Sequence, residues 1–400
     1  MKVILINPPS PFLIDEMVMP PLGLCYLSSI LKDNGYQVEI LNLSLGGTIA
    51  DIPDADLVCI TATTPQISEA RCLLESIKDR KPSVRVALGG PHASAMPENC
   101  LFYGFDAVVV GEGEKAILDV AKGATGIINR KFMHNLDDLP FPDRSFIDDY
   151  NYYLDGKKAT TMMTSRGCPW SCSFCCKSPW GRQLRLRSPK HVLAEASAIA
   201  ETGLYGGIMA FDDELLVDWG RDEEIFRGFH GLGLIYRIFT RADMVKPKKC
   251  SVLAKTGCYE VLLGIESGSD RILANIHKGT TRALNLKAVE MLKEAGIRVK
   301  AAIICGLPGE SWESIRETES FLEKAQPDDV DFSVLAVYPG SHIWEYPNEY
   351  DVTFPTSPGA YKTKPGEYQA GVATSHMTAE EIVRARDELE AKFKKWTPKK

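Results

Sequence analysis

The sequence has no run of about 18 apolar residues and no basic stretch leading into an apolar one, so neither membrane spanning nor export is expected. It has no internal repeat and no low-complexity tract, which argues against repeat arrays and disordered segments. Positive charge is not in excess: 46 Lys and Arg stand against 53 Asp and Glu, for a net charge of −7. A general nucleic-acid binder is therefore not expected, and the locally basic Lys392, Lys394, Lys395, Lys399 and Lys400 read as a solvated terminus. What remains is a cytoplasmic globular protein. Its 400 residues, 44% hydrophobic and 25% charged, suffice for two or three domains with sizeable cores.

Eleven cysteines are many for a chain in a reducing compartment, where a disulfide framework is not expected. Seven of them, Cys25, Cys59, Cys72, Cys100, Cys250, Cys258 and Cys305, lie in apolar or helical stretches and read as buried small hydrophobes. The other four fall within nine residues, Cys168-Pro-Trp-Ser-Cys-Ser-Phe-Cys-Cys176. Three have CxxxCxxC spacing, which puts three thiolates on one short loop. A [4Fe-4S] cluster ordinarily takes four cysteines, so three with no obvious fourth leave one iron open to bind and activate a ligand. Cys176 reads as a buried thiol turned away from its neighbour.

The first 120 residues alternate short β-rich runs with helical ones, the pattern of a parallel α/β sheet. Val3-Ile6, Val38-Leu41, Leu57-Thr61, Val84-Leu88 and Ala107-Val110 read as strands, with amphipathic helices near Leu22-Asn34, Ser68-Lys78 and Glu114-Ala121. Turn-forming residues cluster where strands should end, at Asn7-Pro8-Pro9, Thr61-Ala62-Thr63-Thr64-Pro65, Gly89-Gly90-Pro91-His92 and Gly111-Glu112-Gly113-Glu114. Strand ends form the ligand crevice of such sheets, so these clusters in register mark a binding site. Residues 1–125 are read as one Rossmann-like domain. Over 126–157 periodicity is poor, and Leu136-Asp-Asp-Leu-Pro-Phe-Pro-Asp143 predicts a proline-fixed linker.

A second series starts at Lys158, with strands expected at Ala159-Thr164, Gly207-Phe211, Leu234-Phe239, Glu260-Ile265, Val299-Cys305 and Asp331-Leu335. Six βα units predict a partial barrel over 158–343. The cysteine loop follows its first strand, at the end where barrels keep their working residues. Residues 344–400 form a small extension whose helix, Thr378-Lys394, opens on a capping box of Thr378 and Glu381.

The loop Thr164-Ser-Arg-Gly-Cys-Pro-Trp-Ser-Cys-Ser-Phe-Cys175 resembles the cluster loop of the radical S-adenosylmethionine (SAM) enzymes. The similarity continues through Phe211-Asp-Asp-Glu214, Thr240-Arg-Ala-Asp243, Gly264-Ile-Glu-Ser-Gly268, His277-Lys-Gly-Thr-Thr281, Gly306-Leu-Pro-Gly-Glu310 and Tyr338-Pro-Gly-Ser341. The first domain is similar to the cobalamin-binding domain of that superfamily's B12-dependent methyltransferases, through Pro20-Pro-Leu-Gly-Leu24, Gly89-Gly-Pro-His92 and Val110-Gly-Glu-Gly-Glu114. The resemblance implies an α/β fold, with a Rossmann-like cobalamin-binding domain, a partial (β/α)6 barrel and a small C-terminal α-containing extension. It also implies three cofactors: a [4Fe-4S] cluster, SAM and cobalamin.

It assigns Cys168, Cys172 and Cys175 to the cluster and places Phe174 near the SAM adenine. Charge matching gives Asp212, Asp213 and Glu214 to the SAM ammonium, Arg241 to its carboxylate, and Glu266 with Ser267 to the ribose side. For cobalamin the resemblance implies Leu22, Gly23, Thr61, Thr63, Thr64, Pro65, Gln66, Gly89, Gly90, Pro91, His92, Gly111, Glu112, Gly113 and Glu114. Of these the threonines, the Gly89-Gly90 backbone and His92 fall to the nucleotide tail, and Pro65 or Gln66 to the lower side of cobalt. None of the seven histidines follows an Asp-x-His-x-x-Gly pattern, so cobalt is expected without a histidine ligand.

The implied reaction uses SAM twice. One molecule methylates cobalamin; another is cleaved reductively at the cluster to a 5′-deoxyadenosyl radical, which takes hydrogen from an unactivated sp3 carbon that then receives the methyl group of methylcobalamin. An external electron donor is required. No protein acid or base is, and Tyr338 is a candidate substrate contact. A radical rearrangement, cyclisation or oxidation is the alternative chemistry. A non-catalytic cobalamin carrier or sensor is the alternative class, though it has no use for three cluster cysteines. Methylthiolation is not expected, because Cys25, Cys59, Cys72 and Cys100 sit in core-like segments. Compact size and motif order resemble the branch that C-methylates a glutamine of methyl-coenzyme M reductase. A protein or peptide substrate is therefore expected, with a small molecule or lipid as the alternative. Tyr346, Tyr350, Phe354, Tyr361 and Tyr368 predict an ordered lid or wall at the barrel mouth.

Overall fold

The computed structural model describes residues 1–10, 13, 15–16, 20–43, 52–147, 150–177, 179–355 and 369–394. Two compact units divide the described residues: those within 1–152 with 176–181, and those within 153–175 with 182–355 and 369–394.

The first unit holds a six-stranded parallel sheet in the order β2-β1-β3-β4-β5-β6. Its strands are β1 (Lys2–Asn7), β2 (Gln37–Asn42), β3 (Leu57–Thr61), β4 (Arg85–Gly89), β5 (Ala107–Val110) and β6 (Gly126–Asn129). Its helices are α1 (Leu22–Asp33), α2 (Ile67–Arg80), α3 (Pro91–Ala95), α4 (Pro97–Phe102) and α5 (Gly113–Ala121). Both faces of the sheet are covered, which is why β1 and β3 read as unbroken apolar runs. Val3 and Leu5 join one core with Leu24 and Leu31 of α1 and Ile117 of α5; Ile4 and Ile6 join another with Leu73 and Leu74 of α2. The order reverses between β1 and β3, the switch point beside which such sheets bind ligands.

Within the stretch read as a linker, β6 pairs in parallel with β5. Of its four residues only Ile128 is buried, so it carries no period for sequence reading to find. Leu136 and Leu139 are also buried, and Asp143 accepts from Lys32 Nζ at 2.6 Å and Ser28 Oγ at 2.9 Å. That stretch is packed on α1, not free. Six of the seven scattered cysteines are buried, but Cys72 is exposed. On α2 the inward positions are Ala70, Leu73, Leu74 and Ile77, which leaves Cys72 on the outer face.

The second unit opens with a hairpin of β7 (Tyr153–Leu154) and β8 (Lys157–Met162), then a short antiparallel pair, β9 (Ser165–Arg166) and β10 (Arg185–Leu186). It continues through α6 (Pro189–Glu201), β11 (Gly207–Ala210), α7 (Trp219–Gly231), β12 (Ile235–Arg241), α8 (Pro247–Lys255), β13 (Cys258–Glu266), α9 (Asp270–Asn275), α10 (Arg282–Glu294), β14 (Arg298–Cys305), α11 (Trp312–Ala325), β15 (Asp329–Val334), α12 (His342–Glu345) and α13 (Ala379–Phe393). The sheet order is β15-β14-β13-β12-β11-β8-β7, parallel from β8 onward. This is the partial barrel of six βα units. Along β14, Val299, Ala301, Ile303 and Cys305 join the helix-side core, while Lys300, Ala302 and Ile304 alternate onto the other face, half-buried. That face closes at the strand starts with ion pairs in register: Glu260 lies 3.0 Å from Arg237 and 2.9 Å from Arg298 on the flanking strands, and Lys300 lies 3.2 Å from Asp329.

The capping box of Thr378 and Glu381 starts α13. Part of the tail is not simply solvated: Lys392 bridges Glu319 at 2.7 Å and Glu323 at 2.5 Å on α11, and Lys394 lies 2.9 Å from Glu390. Lys395, Lys399, Lys400, Tyr361 and Tyr368 lie outside the described residues. Among the described residues no helix is long and apolar enough to cross a membrane.

Candidate active site

At the strand ends of the second unit, the cysteine loop is fixed by its backbone. Ser173 N donates to Ile276 O at 3.0 Å, and Ile343 N to Ser173 O at 3.1 Å. Cys168 is buried; Cys172 and Cys175 are half-buried. Among the described residues no three His, Cys, Asp or Glu side chains converge on one ion. The thiolates of a cubane each take a different iron and need not meet at one ion. Three thiols on a rigid loop, backed by cationic donors, fit such a group.

Two of the three acids after β11 hold this loop. Asp212 Oδ1 accepts from Thr164 N at 2.9 Å, Thr164 Oγ1 at 3.0 Å and Ser165 Oγ at 2.6 Å, while Asp213 Oδ2 accepts from Gly167 N at 3.1 Å. Burial pushes Asp212 up to about 6 against those hydrogen bonds. Glu214 Oε1 accepts from Thr240 Oγ1 at 2.7 Å and Arg241 N at 3.1 Å, and burial pushes this carboxyl up to about 7. Behind the loop, buried Arg187 reaches Met163 O at 2.7 Å and Glu195 at 2.6 Å, and Arg221 reaches Arg187 O at 2.8 Å.

Arg241, at the end of β12, is almost fully engaged. Nε and Nη2 fork onto Asp243 at 2.9 and 3.0 Å, Nη2 also reaches Lys278 O at 2.6 Å, and Nη1 donates to Cys172 Sγ at 3.5 Å. The guanidinium lies 4.4 Å from the centre of the Trp170 ring. Glu266 ends β13 at φ +63°, a conformation rare for a non-glycine residue, where the register with β14 shifts. Its carboxylate takes Lys278 Nζ at 2.8 Å, both side chains being buried. A Cβ on Gly264 would stand 2.7 Å from Glu266 Oε1 and 2.8 Å from Lys278 Nζ, so glycine leaves room for the pair. Burial pulls the Lys278 ammonium down, but Glu266 and Cys172 together raise it above its ordinary value.

The other sequence-predicted groups are spread around this centre. Ser267 Oγ meets Thr318 Oγ1 of α11 at 3.3 Å, and Phe174 rests half-buried on the barrel core. Tyr338 is half-buried beyond β15, its carbonyl accepting from Ser341 Oγ at 2.7 Å. Of the extension's aromatics, Tyr350 OH meets His342 Nδ1 at 2.8 Å, and Phe354 lies 5.7 Å from Trp344 between ring centres. Lys278 belongs to the His277-Lys-Gly-Thr-Thr281 motif, which by itself does not point to Glu266. Its signal was the pair of motifs, with Gly264 two residues before an acid and a lysine beyond α9.

In the first unit the turns after β3, β4 and β5 interlock. Thr63 begins a short capped turn in which Gln66 Oε1 accepts from Thr63 N at 3.1 Å, while Gln66 Nε2 donates to Pro8 O at 3.1 Å and Ser10 Oγ at 2.8 Å. Gln66 therefore ties the β1 and β3 loops together. Thr63 is exposed and Thr61 and Pro65 half-buried, whereas Thr64 is buried; Leu22 is buried and Gly23 exposed. Pro91 opens α3, Glu112 takes Met133 N at 2.7 Å, and Glu114 is buried in the first turn of α5, whose Gly113 lies against Leu27. Gly90, at φ +98°, makes a tight turn where a Cβ would strike Thr61 Oγ1 at 2.7 Å.

His92 is fully buried, with Nδ1 3.2 Å from Thr64 Oγ1 and no partner for Nε2. Burial pulls it down to about 4, so the ring is neutral at pH 7. A tight glycine cradle and an unpartnered buried imidazole nitrogen fit a bound polar tail. Ser94, which sequence reading passed over, joins two of these turns, accepting from Gly111 N at 3.0 Å and donating to Gly90 O at 2.9 Å. Cys25, Cys59 and Cys100 lie in three separate cores, and burial raises each thiol to about 12.

Residues 162–322 match the radical SAM superfamily and residues 15–121 the B12 binding domain. The chain belongs to the B12-binding radical SAM methyltransferases. It is 31% identical over 385 residues to an uncharacterized methyltransferase of Pyrococcus horikoshii, covering 86% of this chain and 83% of that one. It is also 27% identical over 370 residues to the anaerobic magnesium-protoporphyrin IX monomethyl ester cyclase of Rubrivivax gelatinosus, covering 82% and 66%. Among solved structures, the radical SAM methyltransferase TsrM from Kitasatospora setae, with cobalamin and a [4Fe-4S] cluster bound, superposes with a TM-score of 0.74 at 18% identity, covering 97% of this chain and 90% of that one. At that identity it establishes the fold.

Proposed function

We propose that the protein is a cobalamin-dependent radical SAM C-methyltransferase acting on an unactivated sp3 carbon of a protein or peptide. The carrying observation is the loop with Cys168, Cys172 and Cys175, anchored by Asp212 and Asp213 and backed at Cys172 by Arg241. These thiols would hold the cluster, and the turns at Thr61, Gly89, Gly90 and His92 the cobalamin. When bound, the cluster with SAM supplies a carbon-centred radical and the cobalamin a methyl group. Glu214, with its carboxyl near 7, gains a charge partner beside the SAM ammonium. An external one-electron donor is needed, and the expected setting is cytoplasmic.

The peptide reading is supported by the motif order. Beyond the barrel, the described tail is tied down, Thr353 pairing with Ala373 and α13 lying on β15. A glutamine of methyl-coenzyme M reductase is the substrate to try first. The Rubrivivax relative's name favours a second reading, a tetrapyrrole-sized small molecule and a cyclisation.

Anaerobic reconstitution with iron, sulfide and cobalamin, then reductant, SAM and glutamine-containing peptides, tests both by mass spectrometry. Expected products are 5′-deoxyadenosine, S-adenosylhomocysteine and a peptide one methylene heavier. Deoxyadenosine without a methylated peptide sends the substrate search to small molecules. Neither nucleoside from a fully loaded protein sinks the chemistry. Cys168→Ala, Cys172→Ala and Cys175→Ala are each expected to abolish deoxyadenosine formation while leaving cobalamin bound.

A further inference from the structure

We propose that Arg241 is a positioning residue that sets the reduction potential of the cluster through Cys172, and that it is not the partner of the SAM carboxylate. This rests on the cluster reading above. A guanidinium has five N–H donors. Asp243 takes two, Lys278 O a third, and Cys172 Sγ, at 3.5 Å, a fourth. One donor is left, too few for the two-pronged grip by which arginine recognises a carboxylate. The side chain cannot swing away to regain that grip, because Trp170 of the cluster loop covers its face at 4.4 Å and Asp243 fixes its edge.

The charge beside Cys172 is shielded from solvent. Arg241 is 5% exposed. Reduction adds one electron, taken from the external donor, to the iron–sulfur centre and no proton. A fixed positive charge and an N–H donated to a ligand sulfur both stabilise the state carrying the extra electron, and hydrogen bonds to the sulfurs are among the features that set such potentials. Buried charges are screened little by salt, so the effect persists at physiological ionic strength. Both cations are paired with a carboxylate, Lys278 with Glu266 at 2.8 Å and Arg241 with Asp243 at 2.9 Å, and it is Arg241 that donates an N–H to the Cys172 sulfur.

The test is an EPR-monitored redox titration of the anaerobically reconstituted full chain without SAM, comparing the native protein with Arg241→Met and Arg241→Lys. Iron and sulfide content and the SAM dissociation constant are measured alongside. Expected is a lower midpoint potential for Arg241→Met, an intermediate one for Arg241→Lys, unchanged iron content, and SAM affinity within about threefold of native. Pulsed EPR of the reduced native protein in D2O is expected to show an exchangeable proton coupling that Arg241→Met lacks. An unchanged midpoint in a cluster-loaded Arg241→Met protein overturns the proposal, and a tenfold or greater loss of SAM affinity with it returns Arg241 to the carboxylate. If Arg241→Met fails to fold, Arg241→Leu decides, since it too removes both the charge and the N–H donor, and a midpoint equal to native overturns the proposal equally. A native protein that takes up no cluster instead refutes the cluster reading itself.

Discussion

Gly90 and Glu266 both hold left-handed backbone, at φ +98° and +63°, for different reasons. At Gly90 there is no room: a methyl group would meet Thr61 Oγ1 at 2.7 Å, Ala62 O at 2.9 Å and Ala62 N at 3.0 Å. Two of those three atoms are backbone, so the neighbours cannot simply turn aside. Gly90→Ala is expected to destabilise the protein by about 1–3 kcal/mol and to release cobalamin, seen as a lower urea midpoint and a colourless protein peak on gel filtration. Gly231→Ala is the control, because nothing lies within 4 Å of a Cβ built there and the residue has no part in either candidate site. At Glu266 the strained residue carries a side chain, and what holds it is the register shift beside Gly264 and the buried pair with Lys278. Strain of this kind persists only where the surroundings over-determine it, and here they belong to the candidate site.

At the level of the element, α13 and β6 mark the limits of sequence reading. The helix announces itself: Thr378 caps it, Glu381 returns the bond, and Ile382, Ala385 and Leu389 recur on one buried face. That face contacts β15 and α11, and Ile382 Cγ2 would lie 3.1 Å from a Cβ on Gly306. Thr378→Ala is expected to lower stability by about 1 kcal/mol, measured as a shift in urea midpoint at constant slope. The strand β6 gives no such signal, because an edge strand with one buried residue has no alternation to display. The cysteine loop is legible for a third reason: its three thiols, Cys168, Cys172 and Cys175, fall within eight residues, so spacing alone groups them.

For the whole molecule, buried carboxyls contribute a dependence on pH of one sign, Asp222 among them. Burial first, against hydrogen bonds and nearby cations, raises Asp212 to about 6, Glu214 to about 7 and Glu310 to about 8. In the unfolded chain these groups ionise at about 4, so folding takes up protons, and stability from them is full below that value and is lost as pH rises to about 8. His92, held near 4 by burial, works oppositely, but only below its unfolded value of 6.5. Between pH 7 and 8 the slope therefore belongs mainly to Glu310, whose carboxylate accepts from Gly306 N inside the loop after β14. Glu310→Gln is expected to flatten that slope, by up to tenfold in folding constant per pH unit, in urea titrations of the cofactor-free protein. An unchanged slope would place the proton elsewhere.

The sequence by itself determined the two parallel sheets, the doubly covered first one, the capped helices and the three-thiol loop, because each is written in residues close along the chain. Only the tertiary structure decided which side chains work together. Asp212 reaches back 48 residues to Thr164, Arg241 reaches 69 to Cys172, and Lys278 crosses a helix to Glu266. Asp212 and Arg241, which charge matches to SAM, also hydrogen-bond to the cysteine loop in the fold, since a buried charge takes the nearest partner that compensates its lost water. Which partner is nearest depends on which strand ends stand side by side, and that is a property of the sheet order.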